Sequence, residues 1–345
     1  MKIIKGIAFV LIFLICFSAV QTVLEYVSDR DSERITGFFE ERENSLDAVF
    51  LGSSATYAFW CAPTAFAEYG ITVYTYSTAS QPLYAAKFLI DDAMKTQPDA
   101  LYIVNISNVS ENYEQHLQKL LIDYPFSINK LMMTDYLCDM YGLSLSERME
   151  YYFPIIRFHG RWNELTKTDF FPEKNEYKCA NYYKAFLTTA VDVGRFKYDF
   201  EAVKELTETV EKGLNDLLDY CEAENVNVLF YVYPQVVSKS RAAQQNTMID
   251  MVEKRGFDVL DLRKHVDEIG LNPQKDYYNK NHTNLHGSIK VTDYISRYLI
   301  ENYGFEDKRG QEEYSDWTEA ASNYYEKISK YLNKTDLEYL KSIKE

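Results

Sequence analysis

Ser54 is the residue of this chain whose surroundings best suit a nucleophile. It lies in the sequence Leu-Gly-Ser-Ser-Ala-Thr at positions 51–56, after a short apolar run and before a helix-length segment. A nucleophilic serine needs an exposed hydroxyl on a tight turn from strand to helix, where small neighbours avoid clashes and N–H groups at the helix start face the reacting carbonyl. Gly52 and Ser53 meet that need. The alternative is that these serines only cap the following helix.

His282 is the candidate base for such a serine. It lies in the polar sequence Asn-His-Thr-Asn-Leu-His-Gly at 281–287, before the last long helix. A neutral imidazole there can reach over a sheet edge and accept a hydroxyl proton, whereas the alternative is an exposed loop histidine. His282 and His286 have the spacing of a zinc-protease motif, but that motif needs Glu at the position of Thr283. The sequence therefore favours serine chemistry without a metal or organic cofactor.

A third polar site follows another apolar run. Residues 98–108 read as a buried strand that leads into Asn105 and Asn108. An asparagine amide at a strand end can point a donor at a developing oxyanion. The alternative is that these asparagines only form a turn.

The elements that would position these residues follow from the hydrophobic pattern. Short apolar runs alternate with helix-length segments, as in parallel strands joined by helical crossovers. The predicted strands are 48–51, 71–76, 100–104, 226–233 and 258–260. The predicted helices are 63–69, 83–96, 200–224, 242–255 and 285–303. The pattern predicts an α/β domain over residues 45–303, with a parallel sheet of about five strands flanked by helices.

Two further segments are predicted to be helical. Residues 109–198 form an insertion between the third and fourth strands, and residues 304–345 form a helical tail. The insertion contains the densest aromatic and basic cluster of the chain, which consists of the sequence Tyr-Tyr-Phe-Pro at 151–154 followed by Arg157, His159, Arg161 and Trp162. Such a cluster can hold a sugar ring or an anionic polymer over Ser54, or it can belong to a packed helical subdomain with its arginines at the surface.

The N-terminus has the pattern of a membrane anchor. Lys2 and Lys5 precede a nineteen-residue run at 6–24 that is predominantly apolar, and acidic residues follow it. A helix of about 20 residues spans a bilayer, and the charge asymmetry predicts a cytoplasmic N-terminus with the rest of the chain outside. We therefore predict a transmembrane anchor at 1–27 and a spacer at 28–44. A cleaved signal peptide is the alternative.

Composition limits the partners. The 52 acidic and 37 basic residues give a net charge of −15, which a nucleic-acid backbone would repel. The 30 tyrosines suit sugar binding as well as core packing. The five cysteines lack the close spacing of metal or redox motifs, so we predict free and mostly buried thiols.

Together the three polar segments resemble the SGNH (GDSL) hydrolase superfamily, whose fold is a flavodoxin-like parallel sheet. The resemblance covers about residues 45–110 and 225–303 and includes the order of serine, asparagine and histidine. By position it implies a catalytic Ser54 and His282. It also implies an oxyanion hole formed by the N–H groups of Ser54 and Ser77 and the amide of Asn108.

The chain departs from this family at four positions, which are Ser53, Ser77, Val109 and Asn279. Ser53 replaces the aspartate before the nucleophile, and Asn279 replaces the aspartate three residues before the histidine. In a triad that carboxylate orients the imidazole and stabilises its charged form. Asn279 can still orient His282 by hydrogen bonding, or Asp276, Asp261 or a backbone carbonyl can take the role.

The anchor makes the chain similar to membrane-bound SGNH proteins of bacterial envelopes, including DltD-like and AlgX-like acyl-transfer proteins. That similarity implies an extracytoplasmic esterase or O-acyltransferase that acts on acyl esters of cell-envelope glycan. The implied partners are an envelope polysaccharide or teichoic-acid-like polymer and a membrane acyl-carrier or O-acyltransferase protein. The rival prediction is a non-catalytic relative that binds glycan or scaffolds a modification complex.

Overall fold

A central sheet of five parallel strands organises the chain. A computed structural model describes residues 2–25, 30–107, 113–122, 124–171, 176–332, 334 and 336. The strand order is β2-β1-β3-β4-β5. The strands are β1 (Ala48–Gly52), β2 (Val73–Ser77), β3 (Leu101–Asn105), β4 (Val228–Val232) and β5 (Val259–Asp261). Nearly all their residues are buried, as in a sheet covered on both faces. The five predicted strands and their parallel arrangement are confirmed.

The helices before β3 include one apolar helix. They are α1 (Lys2–Glu25), α2 (Arg30–Phe38), α3 (Ser54–Phe59), α4 (Ala62–Tyr69) and α5 (Ala86–Met94), which follows a 3₁₀ turn at Leu83–Ala85. Within α1, the 22 residues Ile3–Leu24 have a mean hydropathy of 2.7 and are long enough to cross a bilayer. The predicted N-terminal apolar helix is confirmed. The segment predicted as a spacer contains α2, which buries Ile35 and Phe38 and packs against β2.

The segment between β3 and β4 is helical where the structure describes it. Its helices are α6 (Tyr113–Leu121), α7 (Ile128–Met140), α8 (Leu145–Tyr152), α9 (Ile155–Phe158), a 3₁₀ helix at His159–Asn163, α10 (Lys167–Phe170) and α11 (Lys184–Thr188). α9, the 3₁₀ helix and α10 contact α1. The part of the chain predicted as an insertion therefore packs against the N-terminal helix.

The helices after this segment complete the fold. They are α12 (Glu208–Ala223), α13 (Lys239–Lys254), α14 (Val266–Ile269), α15 (Leu285–Tyr303) and α16 (Ser315–Ser329). α16 packs against α4 and buries Trp317 and Tyr324, in agreement with the predicted amphipathic tail helix. All five cysteines are free and four of them are buried, as predicted.

One helix begins later than predicted. The helix expected from residue 200 begins at Glu208. The backbone before it bonds to α13 instead, because the Asn246 amide donates to the carbonyls of Asp199 and Ala202 at 2.8 and 2.7 Å. These tertiary hydrogen bonds replace the intrahelical ones that the periodic sequence suggested.

Candidate active site

Ser54 lies at the sharp turn from β1 into α3. Gly52 is the last residue of β1 and Ser54 the first of α3, so only Ser53 separates strand from helix. A Cβ atom added to Gly52 would lie 2.4 Å from Thr56 Oγ1 and 2.6 Å from Asn105 Cβ. Glycine is therefore required because the backbone passes this close to its neighbours, and the tight turn places the Ser54 hydroxyl at the end of the sheet.

Buried contacts hold α3 in place behind the serine. Thr56 Oγ1 lies 2.9 Å from the Tyr231 hydroxyl of β4. The Phe59 ring stacks on Tyr233 with a centroid separation of 4.4 Å. On the other side, Thr283 donates a hydrogen bond to the Ala58 carbonyl, which connects α3 to the segment that carries the histidine. The nucleophile and the base are thus fixed relative to each other through α3.

A small antiparallel hairpin presents His282. Its strands are β6 (Tyr277–Asn279) and β7 (His282–Thr283), directly before α15. Gln235 Nε2 donates to the Asn281 carbonyl at 2.9 Å, and the Val236 N–H donates to the Lys280 carbonyl at 2.9 Å. The hairpin brings His282 Nε2 to 2.7 Å from Ser54 Oγ.

Asn279 orients the other side of the imidazole. Its Oδ1 lies 2.8 Å from His282 Nδ1 and accepts the Asn281 backbone N–H at 2.9 Å. A backbone N–H can only donate, so the amide oxygen must be the atom that faces both groups. His282 Nδ1 therefore carries the proton, and Nε2 is free of hydrogen and accepts the Ser54 hydroxyl. This is the tautomer that a general base requires.

The acids considered as substitutes for a triad aspartate have other partners. Asp276 pairs with Lys290 at 2.7 Å, and Asp261 pairs with Arg263 at 2.8 Å. The side chain at hydrogen-bonding distance from His282 Nδ1 is that of Asn279.

Burial sets the charge state of the base. Desolvation lowers the pKa of His282 to about 4. The Tyr278 ring stacks on the imidazole with centroids 5.2 Å apart and planes inclined by 14°. At neutral pH the imidazole is uncharged, which is the form that can take a proton from serine.

The serine and histidine open onto a cavity of about 490 Å³. Its lining comes from the β1–α3 turn, the loop after β2, the end of β3, the loop between β4 and α13, the start of α13 and the hairpin. The described lining residues include two cations, Arg241 and Lys280, and no carboxylate. Arg241 Nη2 donates to the Ser107 carbonyl at 3.2 Å. In a chain with a net charge of −15, this lining favours a negatively charged group near Ser54.

The structure describes only part of the expected oxyanion hole. Ser77 is buried at the end of β2, and the residue of the following loop that lines the cavity is Ser80. Asn108 lies outside the described residues. At the end of β3 the asparagine that lines the cavity is Asn105. Its Nδ2 donates to Ser107 Oγ at 3.1 Å and its Oδ1 accepts the Ser107 N–H at 3.1 Å.

The predicted sugar-binding cluster does not belong to the described lining of this cavity. Arg161 donates to the Leu24 carbonyl at the end of α1 and to Asp169 at 2.7 Å. Arg157 Nη2 donates to Gln118 at 3.3 Å, and His159 Nδ1 lies 2.8 Å from the Ile156 carbonyl. Trp162 is exposed. The cluster lies beside the N-terminal helix.

Two residues of the site, Tyr278 and Arg241, were missing from the sequence prediction, whereas Asn105 was named there as one of two asparagines after a predicted strand. Tyr278 neighbours the residue three before His282, so its position was visible in the pattern. Arg241 reaches the cavity from α13, and the sequence carries no local signal of that contact.

Comparison of the sequence with family models and with curated proteins gives no match.

Proposed function

We propose that the chain is a serine-dependent esterase or O-acyltransferase of the SGNH type. One observation carries this proposal: Ser54 Oγ, His282 and Asn279 form a connected relay with separations of 2.7 and 2.8 Å at the wall of an open cavity. The relay has the order and protonation needed to activate a hydroxyl group. The anchor and the family resemblance support an extracytoplasmic site of action on acyl esters of envelope glycan.

The proposed reaction has two acyl transfers. Ser54 Oγ attacks the ester carbonyl carbon while His282 Nε2 accepts the hydroxyl proton, and the carbonyl electrons move onto the oxygen. The ester C–O bond then breaks, and His282 returns the proton to the leaving alkoxide. Water or a sugar hydroxyl then attacks the acyl carbon while His282 Nε2 accepts its proton. The bond from the acyl carbon to Ser54 Oγ breaks and His282 returns the proton to Ser54 Oγ, which releases an acid or a new ester.

The oxyanion of each intermediate needs donors near Ser54. The N–H of Ser54 at the start of α3 is the first donor. Asn105 lines the cavity at the end of β3. We retain Ser77 and Asn108 as expected contributors from the family resemblance. A removed oxyanion donor typically costs about 10²–10³ in kcat.

A non-catalytic role is the second candidate, and Asn279 is the observation that favours it. A neutral amide orients the imidazole but offers no full negative charge to the imidazolium that forms as the proton moves. A protein that binds envelope glycan, or scaffolds a modification complex, would not need that charge. Such a protein would keep the cavity without reacting at Ser54.

A fluorophosphonate probe separates these functions, because it reacts with an activated serine. We expect covalent labelling of the full-length chain at Ser54, located by peptide mass spectrometry. S54A and H282A should abolish labelling, whereas S53A should retain it because the neighbouring hydroxyl lacks the imidazole contact. An intact fold with no labelling would support the binding role and contradict the enzyme.

A further inference from the structure

A crevice separates the second half of α1 from the helical segment between β3 and β4. It has a volume of about 580 Å³ and is lined largely by apolar side chains. Its α1 wall includes Leu14, Phe17 and Thr22, and its opposite wall includes Phe126 and Phe153. The residues that line the crevice differ from those that line the cavity at Ser54, and the crevice plays no part in the proposed acyl transfer.

Helix geometry gives the depth at which this crevice would lie in a bilayer. Ten residues separate Leu14 from Leu24, which corresponds to roughly 15 Å along a helix axis. That is about half of the roughly 30 Å hydrocarbon thickness of a bilayer. If Ile3–Leu24 crosses a bilayer, the crevice begins near the membrane midplane and opens toward the Leu24 end.

The segment that faces α1 carries exposed apolar side chains. They include Phe126, Phe153, Ile156, Trp162, Phe170 and Phe171. The helices that carry Ile156, Trp162 and Phe170 contact α1. The Arg161 side chain bridges the Leu24 carbonyl and Asp169. This anchorage holds the exposed side chains at the end of the span. A large apolar surface next to a membrane helix is suited to lipid, and tryptophan prefers the boundary between hydrocarbon and water.

We propose that the helical segment at 124–171 enters the bilayer leaflet at the Leu24 end of α1 and that lipid acyl chains fill the crevice. The segment thereby fixes the α/β domain close to the membrane surface. This assignment replaces the sugar-binding role that the sequence suggested for Arg161 and Trp162. It depends on α1 as a membrane span and is independent of catalysis at Ser54.

Tryptophan fluorescence tests this contact in the full-length chain. Of the three tryptophans, Trp60 and Trp317 are buried and Trp162 is 72% exposed, so the difference between wild type and W162F isolates the Trp162 signal. The chain is placed in phosphatidylcholine nanodiscs with bromine on the upper acyl chain. We expect lipid bromine to quench Trp162 and aqueous iodide to leave its emission largely unchanged.

A matched control and a second probe complete the experiment. Val203 is also 72% exposed but lies on the segment that packs against α13, so V203W in the W162F background should show iodide quenching and no bromine quenching. F153W in the same background reports on the crevice and should be quenched by bromine.

Three results would overturn the proposal. Trp162 and F153W quenched only by iodide would show that water covers this face. Emission insensitive to both quenchers would show that protein, such as a second copy, covers it. Recovery of the chain outside the nanodiscs would remove the membrane span on which the contact depends.

Discussion

Ser54 Oγ lies 2.7 Å from Nε2 of His282, although 228 positions separate the two residues in the chain. The β1–α3 turn fixes the serine and the β6–β7 hairpin fixes the histidine. The hydrogen bond from Thr283 to the Ala58 carbonyl joins these two elements. Because Nδ1 carries the proton and Nε2 contacts the Ser54 hydroxyl, the charge state of the imidazole controls the reactivity of Ser54.

The first prediction concerns pH. Burial lowers the pKa of His282 to about 4, and the lowered value means that the neutral base predominates at every pH above it. The rate of fluorophosphonate labelling should therefore fall only as the pH drops through about 4, and this fall is the acid limb of the pH profile. With an ordinary histidine the rate would fall as the pH drops through about 6.5. Labelling rates measured from pH 3.5 to 8 check this. An acid limb near pH 6.5 would contradict a desolvated base.

The second prediction concerns the negative charge that is missing beside His282 because residue 279 is an asparagine. N279D should place a carboxylate beside His282 Nδ1, raise the pKa of His282 and stabilise the imidazolium that forms during attack. We expect labelling to accelerate roughly tenfold to a thousandfold, because a nearby opposite charge shifts a pKa by about 1–3 units and each unit is a factor of ten.

N281D is the control for N279D. Asn281 is exposed in the same hairpin, so the variant adds the same charge without a side-chain hydrogen bond to the imidazole. It should leave the rate within a small factor of wild type. Equal acceleration in both variants would indicate a long-range electrostatic effect of the added charge rather than a direct interaction of the carboxylate with His282 Nδ1.

The third prediction concerns the ring that covers the base. Tyr278 stacks on His282 and contributes to its burial. Y278A should admit water to the imidazole and move the acid limb of labelling upward toward the ordinary histidine value, whereas Y278F keeps the ring and should keep the limb near pH 4. Identical pH profiles for the two variants would show that Tyr278 does not cause the lowered pKa.

The fourth prediction concerns the charge of the substrate. Arg241 lines the cavity, so R241Q should raise KM for an ester that carries a carboxylate or phosphate and leave KM for a neutral ester nearly unchanged. K239Q removes the same charge from the exposed start of the same helix and should affect neither ester. Equal losses on both esters in R241Q would assign Arg241 a structural role through its bond to Ser107.

The sequence predicted the sheet and the Ser54–His282 pair better than the surroundings of the site. The strands are buried apolar runs, which local pattern reveals. The pairing of the serine with the histidine came from the order of the three polar segments and the family resemblance, because local pattern alone left other roles open for both residues. Arg241 and the α1 contact of Arg161 depend on how distant elements pack, and periodicity carries no such information. The late start of α12 has the same origin, since Asn246 of another helix binds the preceding backbone.

The fifth prediction concerns the turn that exposes the nucleophile. In G52A the new methyl group would lie 2.4 Å from Thr56 Oγ1 and 2.6 Å from Asn105 Cβ, which is closer than real contacts allow. Thr56 is held by Tyr231, so relief requires movement of the β1–α3 backbone. We expect a loss of roughly 1–3 kcal/mol in the free energy of unfolding, as for other overpacked sites.

G160A separates this clash from the general effect of replacing glycine. A Cβ atom at Gly160 meets no atom within 4 Å, so this variant should melt within a few degrees of wild type. Calorimetry measures both melting temperatures, and probe labelling is compared well below them. G52A should label more slowly even while folded, because the shift displaces Ser54 Oγ from His282 Nε2. Full labelling of folded G52A would show that the turn tolerates the methyl group and that close backbone packing is not what positions the serine.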